Sequence, residues 1–204
     1  MPSLASYLNG LLIGASLIIA IGAQNAFVLA QGLRREHHLV AALVCMTCDA
    51  VLIAAGVFGL AKLLQRYPLA LEVARWGGIA FLLSYACLAL RRALNRDALQ
   101  AGQAAPRSLV AVLLMTLAVT LLNPHVYIDT VVLVGSIGAQ QATPGAFALG
   151  AISASIIWFS GLALGAARLA PLLARPLTWR LIDLGVALMM LSVAWMLAKP
   201  AITG

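Results

Sequence analysis

Apolar residues follow one another along this chain in runs far longer than a soluble strand or helix uses, separated by short polar stretches. The first run, about Leu4 to Leu29, has no charged side chain and contains Gly10, Gly14, Gly22, Gln24 and Asn25. Helix-weakening and polar residues therefore fall at membrane depth in its second half, which predicts a helix that is broken or re-entrant there. A second run covers about Leu39 to Ala61 and a third about Leu69 to Leu90, with Glu72 and Arg75 near its entrance. The link Gln65 to Pro68 is short, so these two are antiparallel neighbours. Three more runs lie at about Leu109 to Ile137, Ala146 to Ala166 and Leu181 to Ala198, with a turn at Gln140 to Gly145. Such runs reach the roughly 20 residues that a helix needs to cross about 30 Å of hydrocarbon. The alternation of a membrane barrel is absent. The pattern predicts an all-α integral membrane protein of about six transmembrane helices.

Residues 91–107, with four arginines, Asn95, Gly102 and Pro106, form a basic linker between a first half, residues 1–90, and a second, residues 108–204. Three helices, a linker and three more have the layout of a 3+3 inverted repeat, because an odd number of crossings flips the second half. Polar interruptions at Gly22-Ala23-Gln24-Asn25 and Asn123-Pro124-His125 fall in helices 1 and 4, the first of each half. The loops after spans one, three and five hold nine of the 13 basic residues and the opposite side four, which places the first set in the cytoplasm. The C-terminus is then outside, and so is the N-terminus, unless the first segment does not fully cross and only five true spans remain. Tyr67, Trp76 and Trp179 sit near span ends, as interfacial aromatics do. His37 and His38, beside Arg34, Arg35 and Glu36, read as a solvated cytoplasmic loop.

Composition agrees: the 204 residues are 63% hydrophobic and 9% charged, against roughly 25% charged in soluble domains. The net charge of +7 raises nucleic acid as a partner, but the basic residues are confined to segments between apolar spans, where they set orientation. No nucleic-acid partner is expected. The first charged side chain is Arg34, so the N-terminus lacks the basic region of a signal peptide and is expected to stay in the mature protein. Cys45 and Cys48 form a CxxC and Cys87 stands alone. With no second pair or His cluster to complete a tetrahedral site, they read as small packing residues ahead of redox or metal chemistry. Neither a metal nor a cofactor is expected.

Two acids carry the candidate chemistry. Asp49 lies eleven residues past His38 and thirteen before Lys62, roughly 16 to 20 Å of helix from either end at about 1.5 Å per residue. That is near the bilayer centre, where an Asp costs on the order of 2.5 to 3.5 kcal/mol and needs a partner or a use. A protonated carboxyl bonded to a neighbouring helix is one reading, and a proton or cation site the other. Asp129 follows Asn123-Pro124-His125-Val126-Tyr127-Ile128. Pro124 removes a donor and frees carbonyls near Asn123, as in the broken helices of transporters, and a plain proline kink is the alternative. Gln24 and Asn25 suit a substrate carboxylate or amino group, or simple bonding between helices. Ser153, Ser155 and Trp158 are placed to line the same cavity, though small-residue packing accounts equally for the serines. With no intramembrane Lys or Arg against them, the acids favour a cationic solute or protons. An intramembrane hydrolase is disfavoured, because neither HExxH nor GxGD accompanies them. Glycine-rich spans such as Gly145 to Gly165 also allow a homodimer.

The motifs carry a resemblance. Ile21-Gly22-Ala23-Gln24-Asn25-Ala26-Phe27-Val28-Leu29, then Gln31-Gly32 and Arg34-Arg35-Glu36-His37, resembles the opening signature of the bacterial lysine/arginine exporter (LysE/ArgO) family. Cys48 to Ile53, Arg75 to Leu83, Leu122 to Thr130, and Ala154-Ser155 with Trp158-Phe159 match further blocks in order. The resemblance implies gradient-driven export of basic amino acids across the bacterial inner membrane, without ATP, with the family's paired acids at Asp49 and Asp129. Ala23, Leu122 and Ser84 depart from a usual Pro, Trp and Trp. These departures bear on substrate preference, and arginine and lysine are not ranked. An exporter of neutral amino acids or another small solute, its acids serving as proton sites, is the runner-up. A scaffold or sensor without transport is the third reading.

Overall fold

The computed structural model describes residues 2–19, 22–60, 68–94, 107–123, 126–171 and 176–203. Every regular element among them is helical: α1 (Pro2–Ile18), α2 (Ala23–Arg34), α3 (His38–Ala55) continued by the π turn Gly56–Leu60, α4 (Pro68–Leu94), α5 (Leu109–Leu121), the π-helical stretch Tyr127–Val134 leading into α6 (Gly135–Ala139), α7 (Pro144–Leu169) and α8 (Pro176–Thr203). Most of the expected basic linker, together with Tyr67, Pro124 and His125, lies outside the described residues, as does the Trp179 side chain. Among the described residues three stretches, His38–Gly59, Pro144–Leu169 and Arg180–Lys199, are long and apolar enough to cross a membrane. A fourth is added if α1 and α2, which meet at 78°, count as one bent span. The chain is a multi-pass membrane protein.

The packing shows what such a chain does with its large side chains. Leu12, Val51, Ile157 and Leu188 are more than half exposed, while alanines make up nearly half of the buried apolar residues, beside larger ones such as Phe27, Phe147 and Met190. Large apolar groups turned outward need lipid as their solvent, and small ones turned inward let backbones approach closely. The break expected in the first run falls where Gly22 is extended, between α1 and α2. The break expected in the fourth run comes after Leu121.

α1 lies along α7, and the glycines of the first run are explained by this contact. A Cβ on Gly10 would land on the Phe147 carbonyl, one on Gly14 would come 2.8 Å from the Ala151 Cα, and one on Gly150 would strike the Tyr7 carbonyl. The Tyr7 hydroxyl donates to Ser153 across the seam at 3.1 Å. A second close approach joins the π turn after α3 to α6, where a Cβ on Gly135 would fall 2.6 Å from the Gly56 carbonyl carbon. Elsewhere α3 packs between α7 and α5, and α8 packs along α4.

Gly10→Leu should force α1 off α7 and cost at least the roughly 1 to 3 kcal/mol of core overpacking. Gly161→Leu, where the added side chain meets open space, should cost little. Melting followed by size-exclusion chromatography in detergent checks both.

Candidate functional site

The α1–α2 break is held by side chains from two directions. Asn25 donates from Nδ2 to the Ile18 carbonyl at 2.9 Å, giving a partner to a group that the end of α1 leaves without one. The same Asn25 accepts at Oδ1 from Trp158 Nε1 of α7 at 3.0 Å. Asn25 and Trp158 thus position the break. On α3, Asp49 is 3% exposed and accepts from Ser155 Oγ of α7 at 2.6 Å. Ser155 is fully buried.

These elements surround a cavity of about 250 Å³. Gln24 and Asn25 line it from the first break, Asn123 and Asp129 from the second, and Asp49 from α3, with Gly14, Ile53, Thr130 and Met196 among the other walls. Five of the side chains expected from sequence therefore share one space, and Ser155 and Trp158 act through their bonds to two of them. Tyr127 packs instead with Leu52, Leu121, Val126 and Val131. Ser153, expected beside the cavity, belongs to the α1–α7 seam. Pro124 and His125 fall outside the described residues.

Side-chain contacts tie α2 to α8 and α7 at one end of the bundle. From Asn25 to Arg34 along α2 is nine residues, and from Asp183 to Val193 along α8 is ten, about 14 to 15 Å of helix in each case. At the far end of both paths Arg34 pairs with Asp183 at 2.7 Å. Phe27, Ala30, Val186 and Met190 are packed in between. Arg35, in the left-handed conformation that ends α2, donates to the Ala167 carbonyl at 3.0 Å. Gln31 is fully buried, and with its amide assigned the orientation that suits its neighbours it donates to the Glu36 carbonyl at 3.0 Å and accepts from Arg107 at 3.2 Å. The solvated loop expected at Arg34 to His38 is only partly solvated, with Arg35 and His37 exposed. Arg34 is tied to α8, and Glu36 Oε2 and His38 Nδ1 are buried. Sequence reasoning missed Asp183 and Arg107 as partners. An acid in the opening turns of the last apolar run was a signal for the first.

A family model for the LysE type translocator matches residues 15–200. The chain belongs to the LysE type translocator family. Within that family it is 49% identical to a protein of Aeromonas salmonicida that carries the provisional name of amino-acid transporter YggA, over 97% of this chain and 98% of that one. It is 45% identical to the arginine exporter protein ArgO of Klebsiella pneumoniae (strain 342), over 96% of this chain and 94% of that one. The same figures hold for the ArgO of Salmonella newport (strain SL254). No solved structure matches the chain.

Arg34→Asp or Asp183→Arg alone leaves two like charges facing one another in a partly buried site, which should cost on the order of 2 kcal/mol or more. The double swap R34D/D183R should recover most of that. Thermal unfolding of the four proteins in detergent closes the cycle.

Proposed function

We propose that this chain is a secondary exporter of basic amino acids, arginine or lysine, in the bacterial inner membrane, driven by the electrochemical gradient. The observation that carries this reading is the convergence of Asp49 and Asp129 on one cavity between two helix breaks. The relatives named as arginine exporters at 45% identity point the same way. A cavity of about 250 Å³ lies just below the roughly 300 to 1,000 Å³ of drug-sized pockets, a scale that suits an amino acid. Asp49 and Asp129 attract the substrate's cationic groups or carry coupling protons, and Asn123 adds a polar contact at the second break.

The proposal includes six spans in two halves, residues 1–90 and 108–204 joined by a basic linker at 91–107, as an inverted repeat. Its support is the order broken, long, long in each half: α1 and α2, α3, α4, then α5 to α6, α7, α8. The packing follows the same exchange, since α3 meets α7, α4 meets α8, and the α1–α7 contact has its counterpart in α5 against α3. The basic ends of α2 and of the linker face the cytoplasm and the C-terminus lies outside, as the distribution of arginines favours. The Arg34–Asp183 end is then the closed cytoplasmic side, and alternating access requires that pair to part.

Reconstitution into proteoliposomes under an imposed gradient tests the function, with arginine, lysine and leucine as solutes. Arginine or lysine flux well above leucine is expected. Asp49→Asn and Asp129→Asn should each remove about 1.5 to 3 kcal/mol of charged hydrogen bonding, or roughly ten- to a hundredfold in flux, with insertion unchanged. Normal flux in both variants removes the acids from the mechanism. Flux of leucine alone makes this an exporter of neutral solutes, and flux of none makes it no transporter. A cysteine placed at Gln141 should react with an impermeant reagent from outside, and one at His37 only from the cytoplasmic side.

A further inference from the structure

We propose that Asp49 is the subsite for the substrate's α-ammonium, that Ser155 is the positioning residue which makes it one, and that Asp129 takes the basic side chain. This rests on the reading of the cavity as a site for basic amino acids. Such a solute brings two positive groups, and in arginine they differ in shape. A guanidinium is a planar fork that pairs best with both oxygens of a carboxylate at once, whereas an ammonium is a compact charge with three donors that can use a single oxygen. Both acids lie on the cavity wall, and they differ in what they can offer to these shapes.

The Asp49 carboxylate is nearly enclosed and is already held from two sides. Ser155 Oγ of α7 donates to its Oδ2 at 2.6 Å, and the Gln24 side chain at the first break bonds it as well. Ser155 is fully buried and Asp49 nearly so, which leaves a guanidinium no pair of open oxygens to lie against. What faces the cavity suits a single-point contact. The two bonds also fix the carboxylate in one orientation and support its negative charge without cancelling it. No basic side chain stands among the described residues that line the cavity, so the balancing charge has to come from the solute or a proton. Asp129, half-buried on the π-helical stretch at the other break, is the acid that remains for the side-chain cation. The group that arginine and lysine share thus meets the acid of fixed geometry, and the group in which they differ meets the other. Trp158, about one turn beyond Ser155 on α7, holds Asn25, so one face of α7 sets both the acid and the break.

Equilibrium binding to the intact protein in detergent tests this, with arginine and two relatives that carry one cation each and the same net charge. Citrulline keeps the α-ammonium and lacks the guanidinium charge; guanidinovalerate keeps the guanidinium and lacks the ammonium. Each should bind the unmodified protein roughly tenfold or more weakly than arginine. Asp49→Asn should weaken arginine and citrulline by about tenfold and leave guanidinovalerate where it was, while Asp129→Asn should weaken arginine and guanidinovalerate and spare citrulline. In Ser155→Ala, arginine and citrulline should weaken several-fold and guanidinovalerate should hold, whereas a loss of packing alone moves all three together. The reverse pattern in the two acid variants, or equal losses for the three ligands, overturns the assignment. Guanidinovalerate binding as tightly as arginine to the unmodified protein overturns it with no variant needed. Unmoved ratios in Ser155→Ala overturn the positioning role. If neither arginine nor lysine is bound or transported, it is the reading of the cavity that fails; if arginine moves and the ligand pattern is flat, only the assignment of the two acids fails.

Discussion

A helix that ends inside hydrocarbon leaves backbone groups without partners, each a cost of several kcal/mol that lipid cannot relieve. This chain ends two helices in that way, and much of the structure around them follows from the need to house those ends. Asn25 turns back onto the Ile18 carbonyl and is itself held by Trp158. Both breaks face one cavity, where groups left by the helix ends can meet water or solute in place of lipid. The long helices α3, α7 and α8 form the frame against which the broken ones are set.

The frame can come so close because its contact surfaces are small. Gly10, Gly14 and Gly150 bring α1 and α7 to backbone contact, and Gly56 and Gly135 do the same beyond Asp49. Without water to drive apolar faces together, such contacts gain their stability from dispersion over a close fit. The break beside Gln24 thus depends on the seam that fixes α1 on α7.

Much of this was legible in the chain. Run lengths marked the helices, and Gly22 to Asn25 and Asn123 marked the breaks, because polar groups at membrane depth are costly unless they face a partner or a wet cavity. Asp49 was legible for the same reason, since an acid eleven residues inside an apolar helix must be used or paired. The role of Gly10 and Gly14 was not, because a glycine that weakens a helix and one that admits a neighbouring backbone look alike until the partner is known. Arg34 read as a loop residue because its partner, Asp183, lies 149 positions away. That Asn25, and not the adjacent Gln24, ties the break to its neighbours appears only when its bonds to Ile18 and Trp158 are seen.

Glycine and alanine in the walls have a consequence for how this cavity can change. Gly14, Gly22 and Ala23 have almost nothing to trim, so substitution there can only make the space narrower. Room for a bulkier solute would have to come from moving whole helices, which the glycine seams resist. The few polar side chains at the breaks are therefore the positions through which altered selectivity is reached by exchanging one functional group for another, with the main-chain mould left as it is.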